Sequence, residues 1–303
     1  MSEQIPLTEE SRADSSALDR DNDDSTHEIA NDLAYKRLAI VNVVLYGRSG
    51  AADREWVLID AGLPGFAGAI KRAAAKRFGK HSRPAAILMT HGHFDHVGSL
   101  QTLADDWDAP IYAHLLEHPY LDGRSAYPPP DPSVGGGLMA LTSPLFPPGP
   151  FDVGNRLRIL PEDNSVPFMN GWRWIPTPGH SAGHVSFWRE DDRSLIVGDA
   201  FVTTRQESAY AVAMQKPEMH GPPMYYTPDW DNARESVRIL AELEPQLVVT
   251  GHGRAMQGNE MRLALEALAR NFDEVARPRH GRYVDEPAHA DASGTTYIPP
   301  KVD

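Results

Sequence analysis

The stretch Thr90-His91-Gly92-His93-Phe94-Asp95-His96-Val97-Gly98 decides how the rest of this chain is read. It places four metal-ligating side chains, His91, His93, Asp95 and His96, within six residues, directly after the apolar run 85–89. In an extended turn, histidines two residues apart converge on one cation, while Asp95 and His96, a step further on, face a second. Three imidazoles desolvated together without a cation would leave ring nitrogens short of partners. The chain has no cysteine, so thiolate ligands and disulfides are excluded and any metal site is built from His, Asp and Glu.

Upstream of this stretch, short apolar runs at 38–46 and 56–59 read as strands, and Asp60-Ala61-Gly62 is the turn after the second. Phe66, Ile70, Ala73, Ala74 and Phe78 recur at helical spacing, with Gly79 placed to end that helix. Further strands are expected at 110–113, 157–160, 172–175, 184–188, 194–197 and 246–249, and helices at 229–243 and 259–275. The pattern is strand-rich α/β without an internal repeat. Three more candidate ligands stand at strand ends: His180 after Pro176-Thr177-Pro178-Gly179, Asp199 after the run ending at Gly198, and His252 between Gly251 and Gly253. The two glycines let the backbone approach closely. Four strand ends therefore converge on one rim.

Taken in order, His91-x-His93-x-Asp95-His96, His180, Asp199 and His252, with Asp60 upstream, resemble the metal-binding signature of the metallo-β-lactamase superfamily over residues 38–253. The resemblance implies an αββα sandwich, two mixed β-sheets packed face to face with helices outside and a site at one edge. It also implies two divalent metal ions, zinc first and Mn2+ or Fe2+ as alternatives. His91, His93 and His180 would hold one ion and Asp95, His96 and His252 the other, with Asp199 bridging them. Asp60 would orient a ligand. Two ions about 3.5–4 Å apart share a bridging hydroxide and polarise a substrate oxygen, so no protein nucleophile is required. Asp95 is the side chain placed to receive or deliver the proton.

Within that superfamily, the presence of Asp199 and the absence of cysteine argue against a β-lactamase proper. The 177–184 segment resembles glyoxalase II, and its 180–184 part also resembles the acyl-homoserine lactonases. However, the 51 residues after His252 show no equivalent of the glyoxalase helical domain. The expectation is a lactonase-like hydrolase of an ester, lactone or thioester bond in a small molecule. A mononuclear iron oxidoreductase resembling persulfide dioxygenases is the alternative, with a phosphodiesterase and a metal-free scaffold behind it. Arg205, Tyr225 and Tyr226 follow Asp199 and are candidate substrate contacts, against the plainer readings of a local ion pair for Arg205 and packing for the tyrosines. His184, at the start of a strand, is read as a supporting group beside the ligands.

Charge and composition bound the partners. The net charge is −13, and residues 1–25 hold eight acidic and two basic residues, leaving −7 for the rest. No basic stripe offers itself to nucleic acid. Neither a membrane span nor a signal peptide is readable, so a cytoplasmic protein without a membrane partner is expected, and a homodimer stays open. Residues 1–30 read as a disordered acidic tail, 31–276 as the domain and 277–303 as a C-terminal tail. Inside the domain, 121–150 carries eight prolines and five glycines, a loop insertion that either covers the site or runs over the surface.

Overall fold

The computed structural model describes residues 4–15 and 24–301. Two sheets face each other. The larger has seven strands in the order Thr26–Ala30, Leu33–Leu38, Val41–Tyr46, Val57–Ile59, Ala86–Leu88, Ile111–Ala113 and Leu157–Ile159. The smaller has five, in the order Met256–Gln257, Leu247–Thr250, Ser194–Gly198, Val185–Arg189 and Trp172–Pro176.

The period-2 geometry of strands sorts their side chains into layers. Val57 and Ile59 point into the space between the sheets and meet Phe187, Ile196 and Val249 from the facing sheet. Leu58 points the other way, onto Ile70, Ala73 and Phe78 of the helix Ala67–Phe78 and onto Leu103 of the helix Leu100–Trp107. On the far side, Leu195, Val197 and Val248 pack under the helices Trp230–Glu242 and Gly258–Arg270. Strands covered on both faces read as continuous apolar runs, which is why no alternation was visible in 194–198 or 247–250. The architecture is the αββα sandwich.

Connection sense puts the functional ends at one edge. Val57–Ile59 and Ala86–Leu88 run parallel, so Asp60 and His91 leave the large sheet on the same side. Ser194–Gly198 and Leu247–Thr250 are also parallel, and Trp172–Pro176 and Ser194–Gly198 are both antiparallel to Val185–Arg189. The chain thus leaves Pro176, Gly198 and Thr250 at one edge and enters Val185 there. Backbone hydrogen bonds stitch the two sheets at this rim: Val185 N–H donates to Thr90 O (3.0 Å) and Asn42 N–H to Gly251 O (2.7 Å).

Three expectations are corrected. The run 38–46 is the second half of a hairpin, since Leu33–Leu38 pairs with Val41–Tyr46 around Ala39, which takes φ 56°. An alanine in a left-handed turn leaves no sequence signal. Residues 1–30 are not a uniform disordered tail. Thr26–Ala30 is an edge strand, Ile5–Pro6 pairs with Glu218–Met219, and buried Asp14 accepts hydrogen bonds from Tyr35 Oη (2.6 Å) and Arg254 (3.0 Å), while residues 1–3 and 16–23 lie outside the described ones. Those partners lie over 200 residues away in the case of Arg254, beyond the reach of composition. Finally, 277–301 is no loose tail: Arg277 pairs with Asp231, Arg282 N–H donates to Asp131 (2.6 Å), Tyr283 Oη to Pro129 O (2.6 Å), and the hairpin His289–Asp291 with Gly294–Tyr297 joins the insertion through Thr295 Oγ1 to Ala126 O (2.9 Å). Among the described residues, no helix is long and apolar enough to cross a membrane.

Candidate metal centre

The seven candidate ligands meet at the rim, all buried. Three groups of donor atoms lie close enough to hold an ion: His91 with His93 and His180, Asp95 with His96 and His252, and His91 with His96 and Asp199. The first two share no residue. Asp199 stands between them, its Oδ2 3.0 Å from His252 Nε2, 3.5 Å from His180 Nε2 and 3.6 Å from His96 Nε2. His93 Nδ1 lies 2.9 Å from His180 Nε2, and His252 Nε2 lies 3.4 Å from Asp95.

Whether these residues fit metal ions is tested by what their atoms lack. His91 Nε2, His96 Nε2 and Asp199 Oδ1 are buried without a hydrogen-bond partner. Native interiors seldom leave such atoms orphaned unless an ion or water completes them. The opposite ring nitrogens are held from outside: His91 Nδ1 by Thr90 Oγ1 (3.1 Å), His96 Nδ1 by Asp60 (2.8 Å) and His252 Nδ1 by the carbonyl of Ile40 (2.6 Å). Fixing one nitrogen from behind aims the other forward, the pattern of ligating histidines. The donor set, five imidazoles and two carboxylates, suits divalent ions.

Burial drives the His91 and His180 rings well below the ordinary histidine range and His93 down to about 3, so this triad is neutral, the form that ligates. Burial acts the same way on His96 and His252, but the Asp199 carboxylate outweighs it and raises both. For Asp199 itself, burial would raise the value, yet His252 and His96 hold it well below the carboxylate range. Asp95, also buried, is pushed up.

The supporting groups each have a visible task. Asp60, in the left-handed region at φ 61°, accepts from Thr90 N–H and Thr90 Oγ1 (both 2.8 Å) as well as from His96. His184 receives the Asp199 N–H on Nε2 (2.9 Å) and meets Thr177 Oγ1 at Nδ1 (2.8 Å). Burial holds it at about 3, leaving Nε2 free to accept. Gly251 admits no side chain, since a Cβ there would stand 2.0 Å from Asp199 Oδ1.

One residue had no sequence signal. Glu117 is fully buried; its Oε2 accepts from Gly92 N–H (2.9 Å) and Tyr127 Oη, and its Oε1 from Ser181 Oγ (2.7 Å) and Gly183 N–H (2.9 Å). A single carboxylate thus ties the His91–His93 turn to the His180 loop and to the insertion. Nothing in the spacing of His114-Leu115-Leu116-Glu117-His118 marks it out.

A cavity of about 310 Å3 opens onto His93 and His180. Tyr225 and Tyr226 line it, together with Tyr120 and Tyr127, Pro128 and Pro129 of the insertion, and Tyr283 and Ala290 of the C-terminal segment. The insertion therefore walls the site. Tyr226 stacks on His93 with centroids 4.7 Å apart, and its hydroxyl is buried without a partner. Arg205 is not in this cavity. Its guanidinium donates to Gly135 O (3.1 Å) in the wall of a second cavity, because the chain after Asp199 turns away along Thr203 to meet the insertion.

The comparisons agree with this geometry. Residues 37–252 match the family model of the metallo-β-lactamase superfamily. The chain is 47% identical over 220 residues to the probable metallo-hydrolase YflN of Bacillus subtilis (strain 168), covering 73% of this chain and 83% of that one. It is 30% identical over 203 residues to the probable metallo-hydrolase YybB of the same organism, covering 67% and 78%. Among solved structures, a B3 metallo-β-lactamase with an active-site glutamic acid superposes with a TM-score of 0.56 at 20% identity, covering 83% of this chain and 90% of that one, a likeness of fold. With its sandwich and its rim of histidines and aspartates, this chain belongs to the metallo-β-lactamase superfamily and is a metallo-hydrolase by homology.

Proposed function

We propose that the chain is a dinuclear, zinc-dependent hydrolase that cleaves an ester, lactone or thioester bond of a small molecule. The observation that carries this reading is the pair of triads, His91, His93, His180 and Asp95, His96, His252, that share no residue and flank one carboxylate, Asp199. Two such ions, when bound, lower the pKa of water and polarise an acyl oxygen. The protein supplies the rest. Asp199 spans the two triads and sets their separation. Asp95 holds or releases a proton at its carboxylate, and the ring of Tyr226, stacked on His93, forms the wall against which the substrate is positioned. Tyr225 packs beside it as a wall. The walled cavity, with no lysine or arginine in its lining among the described residues, suits a small molecule and not a nucleic acid, and we place the enzyme in the cytoplasm.

The test has two parts. Metal analysis after saturation and dialysis should give two equivalents, and the zinc and manganese forms should turn over members of a panel of lactones, thioesters and aryl esters faster than β-lactams or phosphodiesters. One equivalent of iron with oxygen uptake on a persulfide substrate would replace this reading by the oxidoreductase one.

A further inference from the structure

Resting on the hydrolase reading, we propose that the cavity beside His93 and His180 selects substrates by an uncharged aromatic or compact apolar group and rejects anionic ones. The cavity is small, about 310 Å3, room for one ring with a short acyl arm. Five tyrosines, at 120, 127, 225, 226 and 283, and four prolines line it, and among the described residues no lysine or arginine does.

The hydroxyls of three of those rings are tied off: Tyr120 meets Thr295 Oγ1 (3.1 Å), Tyr127 donates to Glu117 and Tyr283 to Pro129 O (2.6 Å). What these rings offer a ligand is therefore mainly carbon surface, which pairs with another ring in offset or edge-to-face contact. The fixed carboxylate of the wall is Asp229, whose oxygens accept from Asn232 N–H (3.0 Å) and Asn232 Nδ2 (2.7 Å) at the start of the helix Trp230–Glu242. A second anion brought beside it would be desolvated, unpaired and repelled. Arginines are not scarce nearby. The second cavity, about 560 Å3, has Arg205, Arg277 and Arg279 in its wall. The molecule places guanidinium groups at that cavity and none at the one facing the histidines. An appended carboxylate, phosphate or peptide acid on the substrate thus meets no ammonium or guanidinium group once it lies beyond the metal ligands, and the further imidazole of the lining is His289, on the C-terminal hairpin.

The experiment compares phenyl acetate with 4-carboxyphenyl acetate on the zinc-loaded full chain, each kcat/KM normalised to the ester's own hydroxide rate. We expect the neutral ester to be favoured by at least about tenfold, the lower end of what pocket complementarity supplies. Ala290→Arg, which places a cation at the cavity wall, should shift that ratio toward the carboxylated ester. Equal rates, or a preference for the anion, overturn the proposal. If neither ester is turned over, the hydrolase reading fails on its own, and binding decides for the cavity. Acetanilide binding at least tenfold tighter than 4-acetamidobenzoate, followed by saturation-transfer NMR, supports the selection; equal or tighter binding of the carboxylate ends it.

Discussion

The two triads of the site use the same residue type in opposite surroundings. His91, His93 and His180 lie against one another and against the rings of Tyr127 and Tyr226, with burial keeping them neutral. Thr90 Oγ1 holds His91 from behind, but the turn and the loop that carry these rings are tied together by one carboxylate, Glu117, which holds the backbone on both sides. His96 and His252 instead lie among Asp60, Asp95 and Asp199, and each ring is held directly from behind. One half is positioned mainly through its loops and the other mainly by contacts made directly to its rings. Metal affinity on the two sides should therefore respond to different mutations.

Asp199→Asn should have the largest effect, because it removes the charge common to both halves while keeping the shape. We expect turnover to fall by more than about 100-fold, exceeding what losses behind the ligands cause, with one metal equivalent lost chiefly from the Asp95, His96 and His252 side. Metal content and kcat measured on the same preparation check this. Retention of both ions at near wild-type rate would show the two halves to be independent.

Glu117→Gln should come next. It keeps the volume but puts an amide where four donors converge, so one of them must go unsatisfied. Affinity at the His91, His93 and His180 side should drop by about 10–100-fold while the other side is spared, as read by chelator competition. Equal weakening of both sites would erase the distinction between loop-held and side-chain-held halves.

Asp60→Asn should act chiefly on the other half, because it touches His96 directly and reaches the first half only through Thr90, whose hydroxyl holds His91. With His96 Nδ1 and Thr90 losing a charged acceptor, we expect about tenfold weaker binding at the second site, again by chelator competition. A loss confined to the first site would reverse the assignment.

The smallest effect on chemistry, and a structural one, is expected at Asp14, which holds Arg254 two residues beyond His252. Burial opposes its charge, but the hydrogen bonds from Arg12 and Tyr35 prevail and hold it below its ordinary value of 3.8. A depressed folded-state pKa means the stabilisation is present above the unfolded value and is lost as pH falls through the folded one. Asp14→Asn should cost about 1–3 kcal/mol in urea unfolding at neutral pH, with the gap to wild type closing in acid, and leave metal content at two equivalents. A changed metal content would link the N-terminal segment to the site.

Much of this molecule is written locally. His91, His93, Asp95 and His96 are legible because ligand spacing in a single turn is a sequence property, and His180, Asp199 and His252 because each follows an apolar run whose end the pattern marks. The helix ending at Gly79 follows from its period, and the covered strands from their continuous apolar composition. What the tertiary structure decided depends on groups brought together from distant positions. Glu117 takes its meaning from donors at 92, 127, 181 and 183, Asp14 from Tyr35 and Arg254, and the cavity wall from an insertion at 121–150 sealed by residues 282–295. A buried carboxylate is tolerable only where several donors surround it, and those donors are assembled by packing, not by neighbours in the chain. For the same reason Arg205 could not be placed from its sequence distance to Asp199: the direction in which a loop leaves a sheet edge is set by what it packs against, here the carbonyl of Gly135.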